Sequence, residues 1–186
     1  MIDNKLILES EKVLLRPMIY DDLESFQVLT SGKELWIYFT SDLSDKAGLE
    51  KWVKDAIDQT SSGARLAFTV IDKSDYSIAG STSFGNISYY DKRLEIGWTW
   101  LGRKYQGKGI NDDMKYLMLK YSFETLGFER VEFKTDVLNL PARKALKRTG
   151  CTEEGILRSH TLMTNNRRRD TIYYSILKNE WKSVPH

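Results

Sequence analysis

One cysteine, Cys151, and two histidines, His160 and His186, are all that 186 residues offer of the softer metal ligands. A lone thiol excludes an intrachain disulfide and a cysteine-rich metal cluster, and so few imidazoles argue against catalysis by a bound metal. Proline is nearly as scarce, at Pro17, Pro141 and Pro185. No window approaches the roughly 18 uninterrupted apolar residues of a membrane span. The segment Met1 to Glu9 has neither a basic leader nor an apolar run before a small-residue cleavage site, so a cytoplasmic location is expected and no membrane partner. Charge of one sign is not in excess either. Against 28 Lys and Arg stand 26 Asp and Glu, leaving +2, so any attraction to a polyanion has to come from local clusters.

What remains is ordinary for a soluble globular chain: 41% apolar and 29% charged residues. The length suits a single domain over residues 1–186, and there is no repeat, low-complexity segment or linker. Val13 to Pro17 reads as a short opening strand and Asp21 to Thr30 as a helix with Asp21 or Asp22 at its cap. Leu49, Trp52, Val53, Ala56 and Ile57 recur at helical spacing before the break at Gly63. The period then changes to two over Leu66 to Ile71, Ile78 to Phe84 and Leu94 to Leu101. In the last strand, Ile96, Trp98 and Trp100 are expected on one face, with Glu95, Gly97, Thr99 and Leu101 on the other.

A helix follows from Ile110 to near Gly127, with Ile110, Met114, Leu117, Met118 and Tyr121 as its apolar stripe. Then come a strand Val131 to Val137, a short helix Pro141 to Arg148, and two closing strands, Ile156 to Leu162 and Thr171 to Leu177, around an Asn165-Asn166 turn. Elements in this order pack as a mixed sheet with helices on both faces, α+β or α/β.

The most informative stretch is Trp98 to Asn111, where a strand passes through a loop into a helix. Gly107 and Gly109 let successive backbone N–H groups turn toward one point, and the helix behind them aims the positive end of its dipole there. Arg103, Lys104 and Lys108 add charge, so the loop reads as an anion site suited to a pyrophosphate; a tight turn with a solvated basic rim is the other reading. It lacks the Walker pattern and the third glycine of the dinucleotide fingerprint.

From Glu95-Ile96-Gly97-Trp98 through Gln106-Gly107-Lys108-Gly109, Asn139-Leu140-Pro141-Ala142, Gly150, Glu154-Gly155, Arg158, Arg169-Asp170 and Tyr174-Ser175-Ile176 to Glu180-Trp181, the chain resembles the GNAT-superfamily N-acetyltransferases. Within them it resembles the RimJ/RimL-like branch, the ribosomal-protein-alanine acetyltransferases. The resemblance implies a three-layer α+β fold, with a mixed, mostly antiparallel central sheet of about seven strands and a splayed strand pair. It also implies acetyl-CoA as co-substrate and no metal.

The residues that match the family's cofactor site are Gln106, Gly107, Lys108 and Gly109 with Ile110 and Asn111 for the pyrophosphate, Trp100 and Leu101 for the pantetheine arm, and Asn139 beside that arm. Arg103 adds charge there. Arg143 and Lys147, four apart on one helical face, are phosphate candidates or a solvated basic face. Glu95 stands where some branches carry a general base; an ion pair across strands is its alternative reading. Asn139 joins it as a catalytic candidate.

Two departures stand out. Leu146 occupies the place of a tyrosine that protonates the leaving thiolate in many relatives, and Ala142 that of a frequent serine, so the acid is unassigned.

Trp36, Tyr38, Trp98 and His160, with Tyr89 and Tyr90, are candidates for the acceptor cleft, though large aromatics also simply bury. Cys151 reads as a packing residue. Arg167-Arg168-Arg169 reads as a solvated basic loop beside Asp170, or as a nucleic-acid patch.

The implied activity is acetyl transfer to a primary amine of a small molecule, a peptide or a protein N terminus, by direct attack without a covalent enzyme intermediate. The competing readings are an inactive CoA-binding sensor or scaffold, motivated by Leu146 and Ala142, and a nucleic-acid-binding domain, resting on the basic run. Homodimers are common in the family, with no residue here that specifies one.

Overall fold

The computed structural model describes residues 2–183; Met1, Pro185 and His186 lie outside the described residues. Eight strands form one sheet: β1 (Leu8–Glu9), β2 (Val13–Pro17), β3 (Arg65–Asp72), β4 (Ser77–Ser88), β5 (Arg93–Leu101), β6 (Arg130–Asp136), β7 (Thr152–Leu162) and β8 (Arg168–Leu177), in the order β1-β2-β3-β4-β5-β6-β8-β7. Every neighbouring pair is antiparallel except β5 and β6, which run parallel. The strand beyond the expected seven is β1, whose two residues are too few to show a period.

Helices cover both faces. On one face α3 (Ile110–Lys120), continued by a π turn over Tyr121–Thr125, packs Met114, Met118, Leu119 and Phe123 against Leu15, Phe68, Phe84 and Ile96. On the other, α1 (Leu23–Thr30) and α2 (Lys46–Ser62) bury Phe26, Leu49, Val53 and Ala56 against Ala67 and Trp100. The short α4 (Leu140–Arg148) sets Leu146 into the first core.

The helices begin and end where their caps say. Asp45 accepts a hydrogen bond from the Gly48 N–H at the head of α2, and Gly63 closes it with φ +75°. Asp22 does not cap; it is buried and paired with Arg16, whose Nη1 donates to it at 2.9 Å, and a tight turn at Tyr20–Asp22 precedes α1. On α3 the buried stripe is Ile110, Met114, Lys115, Met118 and Leu119, one that draws in a lysine; Leu117 and Tyr121 are only half-buried.

The expected two-face division of β5 does not hold. Ser81 pairs with Trp100 and Ser83 with Gly97, so β5 carries one residue more than β4 over this stretch, and Trp98 takes φ +51°. The bulge reverses the alternation. Ile96 and Leu101 enter the α3-side core while Trp100 enters the α1–α2 core, and Thr99 meets Thr82 at 2.8 Å. Trp98 lays its ring on Gly85, where an added Cβ would come within 2.4 Å of the indole.

The basic run is not a solvated loop. Arg168 and Arg169 are the first residues of β8, Arg167 is ion-paired with the fully buried Asp136, and Arg169 is only 6% exposed.

Candidate functional site

β5 and β6 pair only over Arg93–Glu95 and Arg130–Glu132, then diverge. From Ile96 to Leu101 the β6-facing edge of β5 therefore has no strand partner among the described residues, and a cleft of about 1550 Å³ opens there. Such an edge presents backbone N–H and C=O groups to whatever extended group lies along it. The residues Glu95 to Leu101 form one wall, Phe133 to Thr135 and the start of α4 the other.

At one end of the cleft the loop enters α3. Gly107 and Gly109 adopt φ +76° and +82°, and a Cβ built on either meets nothing within 4 Å. No side chain caps α3, so its first-turn N–H groups are open to an anion. The two acids in that turn are drawn aside: Asp112 accepts two bonds from Arg148, and Asp113 accepts from Ser10 at 2.8 Å. Gln106 steadies the loop by donating to the Leu101 carbonyl at 3.0 Å. One turn in, Lys115 donates to Asn111 at 2.7 Å, and burial pulls its pKa down to about 8. Cys151 on the same side is buried, which pushes its thiol up to about 12; it is a packing residue and not a nucleophile.

Of the residues matched to the cofactor site, Trp100, Leu101, Arg103, Gln106, Gly107, Gly109, Asn111 and Asn139 line the cleft. Ile110 is core, and Lys108 lies over the Tyr105 ring. Arg143 and Lys147 both face Glu153, at 3.6 and 3.4 Å, and Arg143 also donates to the Val137 carbonyl and the Tyr174 hydroxyl. The side of α4 that meets the cleft is Pro141, Ala142, Ala145, Leu146 and Arg148, round the helix from those two cations. Their expected phosphate contact is therefore not what this geometry offers; Arg148 is the α4 cation at the cleft.

Glu95 sits at the root of the splay, 3% exposed. Asn86 donates to its Oε2 at 2.6 Å and Lys134 pairs with the same oxygen at 2.9 Å, while no donor reaches Oε1 among the described residues. Oε1 occupies the space that a side chain at Gly97 would need, 2.7 Å from the position of its Cβ. Both readings of Glu95 thus meet in one residue: an ion-paired carboxylate with one oxygen left over, on the cleft. Asn139 caps α4 through Oδ1, which accepts from the Ala142 N–H at 3.1 Å.

The far end of the cleft is aromatic. Trp36, Phe39, Trp52, Trp98 and Trp100 line it, with Trp100 edge-on to Phe26 and Trp36 at 5.1 and 5.8 Å. Tyr38 and His160 line it too, and His160 Nδ1 bonds Thr171 at 3.1 Å. Tyr89 and Tyr90 do not: Tyr89 packs on Phe128 and Tyr90 is 96% exposed.

Behind the aromatic wall the guanidinium of Arg65 lies 4.6 Å from the Trp98 ring centre and 5.1 Å from that of Trp52. Arg65, Lys134 and Lys115 escaped the sequence reading, and Arg169 was read there only as part of a basic loop, because a charged residue in a strand or helix declares its burial only through its neighbours.

Comparison with known proteins places this geometry. A family model described as an acetyltransferase (GNAT) domain matches residues 12–152. A protein of Bacillus subtilis named "Putative ribosomal N-acetyltransferase YdaF" is 30% identical over 152 residues, which is 79% of this chain and 79% of that protein. "Uncharacterized N-acetyltransferase p20" of Bacillus licheniformis is 27% identical over 94% of this chain and 97% of its own length. Among solved structures, a GCN5-related N-acetyltransferase from Brucella melitensis superimposes with a TM-score of 0.88 at 27% identity, over 96% of this chain and 81% of that one.

Proposed function

Because the chain belongs to the GNAT acetyltransferase family, we propose that it transfers the acetyl group of acetyl-CoA to a primary amine by direct attack, without a covalent enzyme intermediate. The observation that carries this reading is one continuous cleft with the uncapped, glycine-flanked end of α3 at one end, the unpaired edge of β5 along its length, and Glu95 at its root. The first-turn amides of α3 with Gly107, Gly109 and Arg148 hold the pyrophosphate, and the β5 edge from Ile96 to Leu101 pairs with the pantetheine arm. Acetyl-CoA supplies the activated carbonyl.

The chain supplies the proton handling. An ammonium has to lose its proton before attack, and Glu95 Oε1, directly or through one water, is the acceptor. Lys134 and Asn86 fix the carboxylate through Oε2 and leave Oε1 turned to the cleft. Leu146 on the cleft wall offers no hydroxyl where many relatives carry the acid tyrosine, so solvent supplies the proton for the departing thiolate. The same observation is what favours the second reading, a CoA-binding module without turnover.

The acceptor class is a protein N terminus, a peptide or a small-molecule amine; the ribosomal name of the Bacillus subtilis relative favours the first. A cytoplasmic location fits such an acceptor.

Titration with acetyl-CoA by calorimetry, with free-thiol release followed across amines and N-terminal peptides in the same preparation, tests the proposal. Binding with amine-dependent thiol release is expected. Binding without release under every amine selects the module, and absence of binding removes both.

A further inference from the structure

Among the described residues, two buried arginines beside the cleft are paired with no carboxylate. Arg169 lines the cleft at 6% exposure and uses only Nε in a hydrogen bond, to Thr171 at 3.1 Å. The two buried acids nearest it are already taken: Asp136 pairs with Arg167, and Glu95 with Lys134. Arg65 is 4% exposed and donates through Nε to Ser83 at 2.8 Å, while its Nη2 has no partner among the described residues. Burial draws the Arg65 pKa down to about 10, and burial also lowers that of Arg169, against the opposing pull of Asp136.

The register places these cations around Glu95. Arg65 pairs with Gly85 and Gly85 with Glu95, so the three stand in one row on one face, their backbones spanning about 10 Å across three strands. Gly85 has no side chain, and the Trp98 indole fills the space above it. On the opposite flank stands Arg169, whose charge is held up first by Asp136 and, to a smaller degree, by Glu95. A buried guanidinium with no counter-ion costs several kcal/mol and persists where something else uses it. Arg65 and Arg169 together leave this end of the cleft with positive charge that the protein does not neutralise.

We infer that the acceptor is an amine that carries a carboxylate, which Arg169 binds while the amine lies at Glu95. Arg65, behind Trp98, raises the potential that draws the carboxylate in. The inference deepens the acetyl-transfer reading and rests on it.

Peptide pairs that differ only in Asp against Asn, at the first, second or third residue, test it on the full-length chain with saturating acetyl-CoA. At one of these positions the Asp peptide is expected to show a KM about 10- to 100-fold lower, the scale of a charge-assisted hydrogen bond, with similar kcat. Arg169→Gln should bring the KM of the Asp peptide to that of its Asn partner, so that the ratio between the two falls to about one. Arg169→Lys should restore part of the preference.

Equal KM values within every pair, with turnover intact, overturn the inference and spare the transferase. A preference that survives Arg169→Gln overturns the role of Arg169. Should Arg169→Gln not fold, the wild-type comparison and Arg169→Lys still decide. Loss of turnover with every amine in the wild-type chain is the failure of the transferase reading itself, and the inference falls with it.

Discussion

Glu95, Gly97 and Gly85 show how much of the chemistry depends on side chains that are absent. Glu95→Gln keeps the hydrogen-bonding shape but cannot accept a proton, so kcat should fall about 10²- to 10⁴-fold and its pH profile should change, with acetyl-CoA affinity unchanged by calorimetry. An intact rate and pH profile would remove Glu95 as the base. At Gly97, alanine would press on Oε1, 2.7 Å from the new Cβ, and the same loss of kcat is expected without any change in charge. Gly85→Ala is worse placed. Its Cβ would stand 2.4 Å from the Trp98 ring, which is held by a bulge at positive φ and cannot retreat without uncovering Arg65. A loss of about 1 to 3 kcal/mol in chemical denaturation is the expected outcome.

Among the elements, α3 does two jobs, and they can be separated. On the proposed reading its head binds the anion, so Gly107→Val or Gly109→Val should abolish measurable acetyl-CoA binding. A side chain there meets no protein atom, and the damage comes from the left-handed backbone and from occupying the phosphate's place. Its body carries a buried lysine beside a buried thiol, which sets a pH signature. Lys115 falls from its ordinary 10.5 to about 8, so between those values the unfolded chain holds a proton that the folded chain has released, and stability climbs with pH. Cys151 rises from 9.0 to about 12, so across that window the unfolded thiol has ionised while the folded one has not, and stability falls. Their sum rises from pH 8 to 9, by about 1.4 kcal/mol at most, runs level to about 10.5, and falls above it. Urea titrations of the wild type and Lys115→Met check this: the rise should vanish in the variant.

At the scale of the molecule, the sheet is two blocks, β1 to β5 and β6 to β8, joined through three residue pairs between β5 and β6. A ligand along the open β5 edge completes the seam between them. Acetyl-CoA at about 100 times its dissociation constant should therefore raise the stability of the whole chain by about 2.7 kcal/mol, or roughly 5 to 10 °C in Tm. Amides of both β5 and β6 should slow in hydrogen exchange together. Protection confined to the α3 loop would show that the arm does not lie in the splay.

The sequence by itself determined the element order, the two left-handed glycines ahead of α3 and the place of Glu95 on its strand, because these rest on local causes: periodicity, caps, backbone freedom, and a motif in fixed order. It also pointed to the departure at Leu146, which indeed stands on the cleft wall. Only the tertiary structure decided the rest. The bulge at Trp98 overrode the alternation of β5, since a single extra residue inverts every face beyond it. Arg143 and Lys147 shared a helical face as their spacing required, but which way that face turns depends on how α4 packs. Nothing in the sequence marked Arg65 or Lys115 as buried, and Arg169 read as part of a solvated basic run, because burial is a property of the neighbours a residue meets, which no single segment contains.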